Sequence, residues 1–178
     1  VKDSTSIKID VFDVHAEVQE DDALCQESSY TLQASGGFSY EWISEDGEFQ
    51  STLATPVVNP EDTLRYFITI TEDNGCQLKD TVLLAVIPTI VPEFDIVRNP
   101  ACFDLPSIQV LSKTDSLWEE DRLSFDFGDG TTTEEVEAVH EYKTDGVYTV
   151  KLIGVREFCV TEKVIPMPVF KLKIPNVI

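Results

Sequence analysis

Acidic residues around a glycine-rich turn are the best candidates for chemistry in this chain. Asp126, Asp129, Glu134 and Glu135 lie within ten residues of one another, and Ca²⁺ prefers carboxylate and carbonyl oxygens as ligands. The alternative is a structural turn, in which the glycines take positive φ and the aspartates accept hydrogen bonds from nearby backbone N–H groups. Both interpretations stay open from the sequence, although glycines occupy positions where an EF-hand needs ligands.

Other catalytic arrangements are hard to assemble from these residues. The chain has two histidines, both within predicted strands, and it lacks the nucleophile-elbow, phosphate-loop and zinc-protease motifs. A pair of acids for glycoside hydrolysis stays open because the chain has 33 acidic residues. Each predicted domain is nevertheless small for a substrate cleft, and we therefore expect no enzyme.

The chain is strongly acidic in composition. It has 178 residues, with 33 acidic and 13 basic side chains and a net charge of −20. This balance disfavours nucleic acids and anionic membranes as partners, because phosphate binding needs Lys and Arg, but it attracts cations. No apolar run approaches the roughly 20 residues that cross a bilayer, and no signal peptide opens the chain. We expect a piece of a longer secreted protein without membrane insertion.

The elements that must position these residues are short strands. Apolar and polar residues alternate in many short runs that are separated by Gly, Asn, Asp and Pro, a pattern typical of an all-β sandwich. Similar segments at residues 12–18 and 92–97 indicate a repeat. We therefore predict four parts. Residues 1–12 are the end of a preceding domain or a linker strand, and residues 13–88 form the first sandwich. Residues 89–169 form the second sandwich, and residues 170–178 are the start of a following domain.

Four cysteines support the same division. The long-span pairs Cys25–Cys76 and Cys102–Cys159 fit two sandwiches that are each closed by one disulfide. Such bonds indicate an oxidising compartment outside the cytosol. Four free thiols in a cytosolic protein are the alternative.

The second predicted sandwich resembles the PKD domain (polycystic kidney disease repeat). The sequence DFGDG at residues 126–130 precedes His140 and Tyr142, and a G-x-Y-T-V sequence follows that contains Gly146 and Tyr148. The resemblance implies an immunoglobulin-like sandwich in an extracellular module that spaces and presents other domains. It also implies a structural role for His140, and Tyr148 is a candidate for a tyrosine-corner hydrogen bond.

The first predicted sandwich resembles the Ig-like repeats of large bacterial surface proteins. The similarity rests on Cys25, the sequence LQASGG at residues 32–37, Trp42 with a tyrosine two residues before it, and a G-C pair at Cys76. This resemblance implies that Trp42 packs as a core anchor against a Cys25–Cys76 bridge. Two tandem immunoglobulin-like β-sandwiches are thus the predicted fold.

The last nine residues, 170–178, resemble the opening of a C-terminal domain on gliding-associated proteins that the type IX secretion system exports. The resemblance implies a bacterial cell-surface or secreted protein. Its partners would be neighbouring repeats of the same chain, surface glycans or other surface proteins.

A non-catalytic extracellular spacer or adhesion module is the function that the sequence predicts. The alternative is a carbohydrate-binding accessory module of a secreted polysaccharide-degrading enzyme. Trp118 is the candidate ligand-binding residue for that alternative, because it lies in the least sandwich-like loop. Calcium is the one cofactor that the sequence leaves open.

Overall fold

The computed structural model describes residues 15–99 and 106–170, and these residues form an all-β protein. The chain divides between Val86 and Ile87 into two compact units, close to the predicted boundary between residues 88 and 89. Within the described ranges, no helix is long and apolar enough to cross a membrane.

The first unit is built from nine strands in the part of the chain that the structure describes. They are β1 (Glu17–Val18), β2 (Asp22–Cys25), β3 (Tyr30–Thr31), β4 (Ala34–Ser35), β5 (Ser39–Ser44), β6 (Gln50–Ser51), β7 (Val57–Val58), β8 (Leu64–Thr71) and β9 (Gln77–Ile87). A five-stranded sheet has the order β2-β9-β8-β5-β6, and two small sheets pair β1 with β4 and β3 with β7.

Residues that alternate along these strands build the core of the first unit. In β8, Tyr66, Ile68 and Ile70 are buried while the residues between them face outward, as the period of two in a strand requires. Trp42 of β5 lies opposite Ile68 in the sheet and is fully buried. Its indole N–H donates a hydrogen bond of 3.1 Å to the carbonyl of Leu53. Trp42 is therefore a core residue with a satisfied polar atom.

The second unit contributes seven strands over its described residues. They are β10 (Phe94–Asn99), β11 (Ser107–Ser112), β12 (Arg122–Asp126), β13 (Thr132–Thr133), β14 (Glu137–Glu141), β15 (Gly146–Arg156) and β16 (Cys159–Val169). One sheet has the order β10-β11-β14, and the other has the order β13-β12-β15-β16. Their inner faces share a core that includes Phe125, Val150 and Leu152. The predicted fold of two immunoglobulin-like sandwiches is confirmed.

The cysteines differ in part from the prediction. Cys25 and Cys159 are disulfide-bonded, whereas Cys76 is free and half-buried. The predicted Cys25–Cys76 bridge, and with it the packing of Trp42 against such a bridge, is therefore wrong. Spacing along the chain reports only the length of the closed loop, whereas a disulfide also requires two Cα atoms less than about 7 Å apart. Cys102 lies outside the described residues, as do residues 1–12 and 171–178.

Candidate functional site

The predicted calcium ligands Asp126 and Asp129 belong to a tight turn between β12 and β13. The carboxylate of Asp126 accepts a hydrogen bond of 2.9 Å from the N–H of Gly128. The carboxylate of Asp129 accepts one of 3.1 Å from the N–H of Thr131 and another from the Thr131 hydroxyl. A backbone bond of 3.0 Å from Phe127 to the carbonyl of Thr131 closes the turn. Both aspartates thus stabilise backbone groups of the turn that they occupy.

Gly128 fits this turn because a larger residue would collide with β15. Its φ is +79°, and a Cβ atom there would lie 2.6 Å from the Thr149 carbonyl oxygen and 2.7 Å from the Thr149 nitrogen. Gly130 also has a positive φ of +92°, but no atom lies within 4 Å of its would-be Cβ. The first glycine therefore permits close packing, whereas the second only permits the backbone conformation.

Asp129 also ties the turn to the opposite sheet. Its second carboxylate oxygen lies 2.8 Å from Nε2 of His140 on β14. Partial burial raises the pKa of the Asp129 carboxyl, but the hydrogen bonds from Thr131 and His140 outweigh burial and hold the pKa below its ordinary value. His140, predicted to be structural, thus bridges the turn and a sheet through a side chain.

A row of aromatic rings continues inward from His140. The imidazole stacks on Phe127 at 4.2 Å between centroids and meets Tyr142 edge-on at 4.7 Å. Tyr142 is fully buried, stacks on Tyr148 at 4.2 Å, and donates a hydrogen bond of 2.9 Å to the Phe127 carbonyl. These rings connect the turn to β15, and this packing is typical of a structural cluster rather than of an open binding site.

Tyr148 makes the bond predicted for a tyrosine corner. Its hydroxyl donates to the carbonyl of Thr144 over 2.9 Å and also lies 2.7 Å from the Thr144 hydroxyl. This contact fixes the loop that leads into β15, four residues before the tyrosine.

The calcium hypothesis receives little support from this geometry. Asp126 and Asp129 already accept hydrogen bonds within the turn, and Glu134 and Glu135 are exposed. Among residues 15–99 and 106–170, no group of three or more His, Cys, Asp or Glu side chains is placed to hold a metal ion. The arrangement favours the structural turn, and calcium binding stays a prediction.

Trp118, the candidate ligand-binding residue, covers an arginine. Its ring lies 3.9 Å from the guanidinium carbon of Arg156, while half of the tryptophan surface stays exposed. Arg156 also makes a forked ion pair with Asp121, at 2.6 Å from Nη2 and 3.0 Å from Nε. Further bonds of 3.1 and 2.9 Å reach the carbonyls of Pro88 and Ser116. One face of the indole is thus occupied within the chain.

Arg156 was missed by the interpretation of the sequence, although a signal for it exists. Val150, Leu152 and Gly154 face the core from β15, and Arg156 follows in the same phase. An arginine at a core-facing position indicates a buried partner, because an unpaired buried charge is costly. The acidic loop before β12 supplies that partner in Asp121, whose side chain is 1% exposed.

Comparison with known protein families gives a match within the second unit. Residues 104–157 match the family model of the PKD domain, so the PKD resemblance is confirmed for this part of the chain. No curated protein matches the chain.

Solved structures give only distant similarity. Drosophila OTK, extracellular domains 3–5, is 13% identical with a TM-score of 0.41 over 84% of this chain. The complex of Dpr2 Ig1-Ig2 with DIP-Theta Ig1-Ig3 is 12% identical, with a TM-score of 0.35 over 83% of this chain. An amphioxus IgVJ-C2 molecule is 10% identical, with a TM-score of 0.30 over 82% of this chain and 99% of its own length. The chain spans 59% and 61% of the first two structures' own lengths.

Proposed function

We propose that this chain is a non-catalytic module of a large secreted or cell-surface bacterial protein, in which it spaces or attaches neighbouring domains. The PKD match over residues 104–157 is the observation that carries this proposal, because the PKD resemblance implies an extracellular module that spaces and presents other domains. Cys25 and Cys159 each take part in a disulfide bond, and disulfide bonds are typical of proteins in an oxidising compartment. The bacterial origin and the type IX secretion context rest on the sequence resemblances of the first unit and of residues 170–178.

The side chains that first suggested chemistry support a structural role. Asp126 and Asp129 accept hydrogen bonds from their own turn, and His140 is engaged by Asp129. A general base must reach a substrate proton directly or through one water. These groups instead point at one another and at the backbone.

Domain replacement in the parent protein tests the spacer role. Residues 13–169 are exchanged for two unrelated sandwiches of equal length. A spacer predicts that surface display and attachment of the parent protein are retained. Loss of attachment with normal display assigns adhesion to this module. Loss of surface display, with replacement sandwiches that fold normally in another protein, would contradict the spacer role.

Carbohydrate binding is the second candidate, and the exposed half of Trp118 favours it. Aromatic rings that face solvent stack on sugar rings, although here Arg156 covers one face of the indole. A polysaccharide pull-down with the wild type and Trp118→Ala tests this candidate. Binding that is lost in the variant supports carbohydrate binding through Trp118. Equal binding would exclude Trp118 from the site, and no binding by the wild type would reject this candidate.

Calcium binding is tested by melting in the presence of Ca²⁺ or EDTA. A bound ion stabilises the folded state in proportion to the logarithm of its concentration over Kd. If Ca²⁺ binds at the turn, the melting temperature should be higher in Ca²⁺ than in EDTA, and Asp129→Asn should abolish this difference. The same melting temperature in both buffers would end this hypothesis.

A further inference from the structure

A cleft of about 370 Å³ opens in the first unit between the β5–β6 turn and the segment that joins β7 to β8. Its apolar wall is made by buried Val58 and Pro60 and by half-buried Phe49 and Leu64. Four exposed acidic residues also line it: Asp46, Glu48, Glu61 and Asp62. The cleft therefore joins an apolar surface to a negatively charged rim.

Tyr66 is the only tyrosine that lines this cleft, and its position is unusual. The residue is 2% exposed, and its ring packs edge-on against Phe49 at 5.8 Å. Among the hydrogen bonds of the described residues, none involves the Tyr66 hydroxyl, although a buried tyrosine usually finds a partner. No fully buried side-chain oxygen of the described residues lacks a partner, so the Tyr66 hydroxyl oxygen is open to the cleft. A ligand in the cleft can therefore form a hydrogen bond with this group.

The electrostatics of the cleft favour a positive charge. Asp46 accepts hydrogen bonds from the Ser44 hydroxyl and, over 3.0 Å, from the N–H of Glu48. These bonds lower the pKa of Asp46, so this carboxylate is charged at neutral pH. Burial, and then the charge of Asp46, raises the pKa of Tyr66, which keeps its hydroxyl protonated. Within the described ranges, none of the four rim carboxylates forms an ion pair.

We propose that this cleft binds a primary alkylammonium group, the chemistry shared by a lysine side chain and a free polyamine. The ammonium donates hydrogen bonds to the Tyr66 oxygen and to rim carboxylates, while the alkyl chain packs against Phe49 and Leu64. A bare Ca²⁺ ion fits less well, because it needs six to eight oxygen ligands and the wall is apolar. An anion is repelled. The cleft would bind this group whether or not the chain is a spacer.

Titration of the intact chain by ¹⁵N NMR tests the proposal. Cadaverine serves as the polyamine probe and N-acetyl-lysine-N′-methylamide as the side-chain probe, with 1-pentanol as an uncharged control. We expect both amines to shift the amide signals of residues 44–66 and pentanol to have little effect. Binding should weaken as salt is raised, because exposed charges are screened with a Debye length of roughly 8 Å at physiological ionic strength.

Two variants and a matched control assign the site. Tyr66→Phe removes only the hydroxyl, and we expect about tenfold weaker amine binding from the loss of a hydrogen bond to a charged group. The double variant Glu61→Gln/Asp62→Asn leaves the core untouched and should also weaken binding several-fold. Glu119→Gln/Glu120→Gln removes the same charge from the second unit and should leave binding unchanged.

The outcomes separate the sources of the ligand and the failure of the site. Tighter binding of the lysine derivative supports a partner protein, and tighter binding of cadaverine supports a free polyamine. Binding of pentanol with the same affinity as the amines would overturn the proposal. Equal weakening of amine binding by the rim double variant and the control double variant would also overturn it. Unchanged binding in folded Tyr66→Phe would do the same. The domain-replacement experiment is independent, so a failure here leaves the spacer role standing.

Discussion

At the residue scale, polar side chains in the second unit find their partners within the chain. Among the described residues, every side-chain nitrogen or oxygen that is fully shielded from solvent has a hydrogen-bond partner. Asp129 serves three donors, and Arg156 reaches two carbonyls in addition to Asp121. Buried polar groups that are fully paired help to specify one arrangement of a core.

Removing the hydroxyl of Tyr142 should destabilise the second unit. Tyr142→Phe leaves the Phe127 carbonyl without this donor in a buried position, and we expect a loss of about 1–3 kcal/mol in the free energy of unfolding. Urea unfolding followed by Trp118 fluorescence, in a Trp42→Phe background, measures this loss. Tyr148→Phe is the control and should lose less, because the hydroxyl of Tyr148 bonds near the surface. Equal losses would contradict this reasoning.

The Arg156–Asp121 pair should make the stability of the second unit depend on pH. Hydrogen bonds from Arg156 lower the pKa of Asp121 and outweigh the opposite effect of burial. A folded pKa below the unfolded value of about 3.9 means that the stabilisation is present above that value and is lost as pH falls through the folded pKa. Asp121→Asn should therefore melt lower at pH 7 and change less between pH 5 and pH 3.

Thermal melting at several pH values measures this effect as a difference between wild type and variant, because other acids titrate in the same window. Glu162→Gln is the matched control. Its partner Lys151 lies 3.0 Å away in an exposed pair, and such pairs contribute roughly 0–1 kcal/mol. Identical pH profiles for wild type and Asp121→Asn would show that the pair is not the source.

At the element scale, the β12–β13 turn depends on where its glycines stand. Gly128 lies against the backbone of β15, whereas Gly130 faces open space. Glycine therefore meets a different structural requirement at each of these two positions. Close packing on β15 explains Gly128, whereas Gly130 is explained by its backbone conformation alone.

Gly128→Ala should destabilise the second unit more than Gly130→Ala. Both variants place a side chain at positive φ, which costs of order 1–3 kcal/mol. Only the first also forces a Cβ atom to within 2.6 Å of the Thr149 carbonyl. Urea midpoints for the two variants measure the difference directly. Equal midpoints would show that the turn moves away from β15 at no cost.

At the scale of the whole molecule, each unit has its own core. Trp42, Ile68 and Leu84 belong to the first core, and Phe125, Leu152 and Met167 belong to the second. Each unit also has one tryptophan, Trp42 in the first and Trp118 in the second. The two units can therefore be followed separately by fluorescence.

Destabilising one unit should leave the unfolding of the other unchanged. We expect Gly128→Ala to lower the urea midpoint reported by Trp118 in a Trp42→Phe background. The free energy of unfolding reported by Trp42 in a Trp118→Phe background should change by less than about 0.5 kcal/mol, since independent sites act additively and each unit has its own core. A shared shift of both midpoints would show one cooperative unit instead of two.

Local patterns in the sequence are enough to predict the all-β class, the two sandwiches and the PKD character of the second. Period-two alternation, as in Tyr66, Ile68 and Ile70, and the turn residues around Gly128 are local properties, because a few neighbouring residues set them. The buried position of Trp42 follows from the same alternation.

Contacts between side chains that are far apart along the chain depend instead on how the strands are arranged in space. Asp121 and Arg156 are 35 residues apart, Asp129 reaches His140 on the opposite sheet, and Cys76 is free although its spacing from Cys25 suits a disulfide. The cleft at Tyr66 is likewise assembled by the β5–β6 turn and the β7–β8 segment. Strand order and pairing across the sheets bring such residues together, and the local alternation of residues along the chain does not specify the strand order.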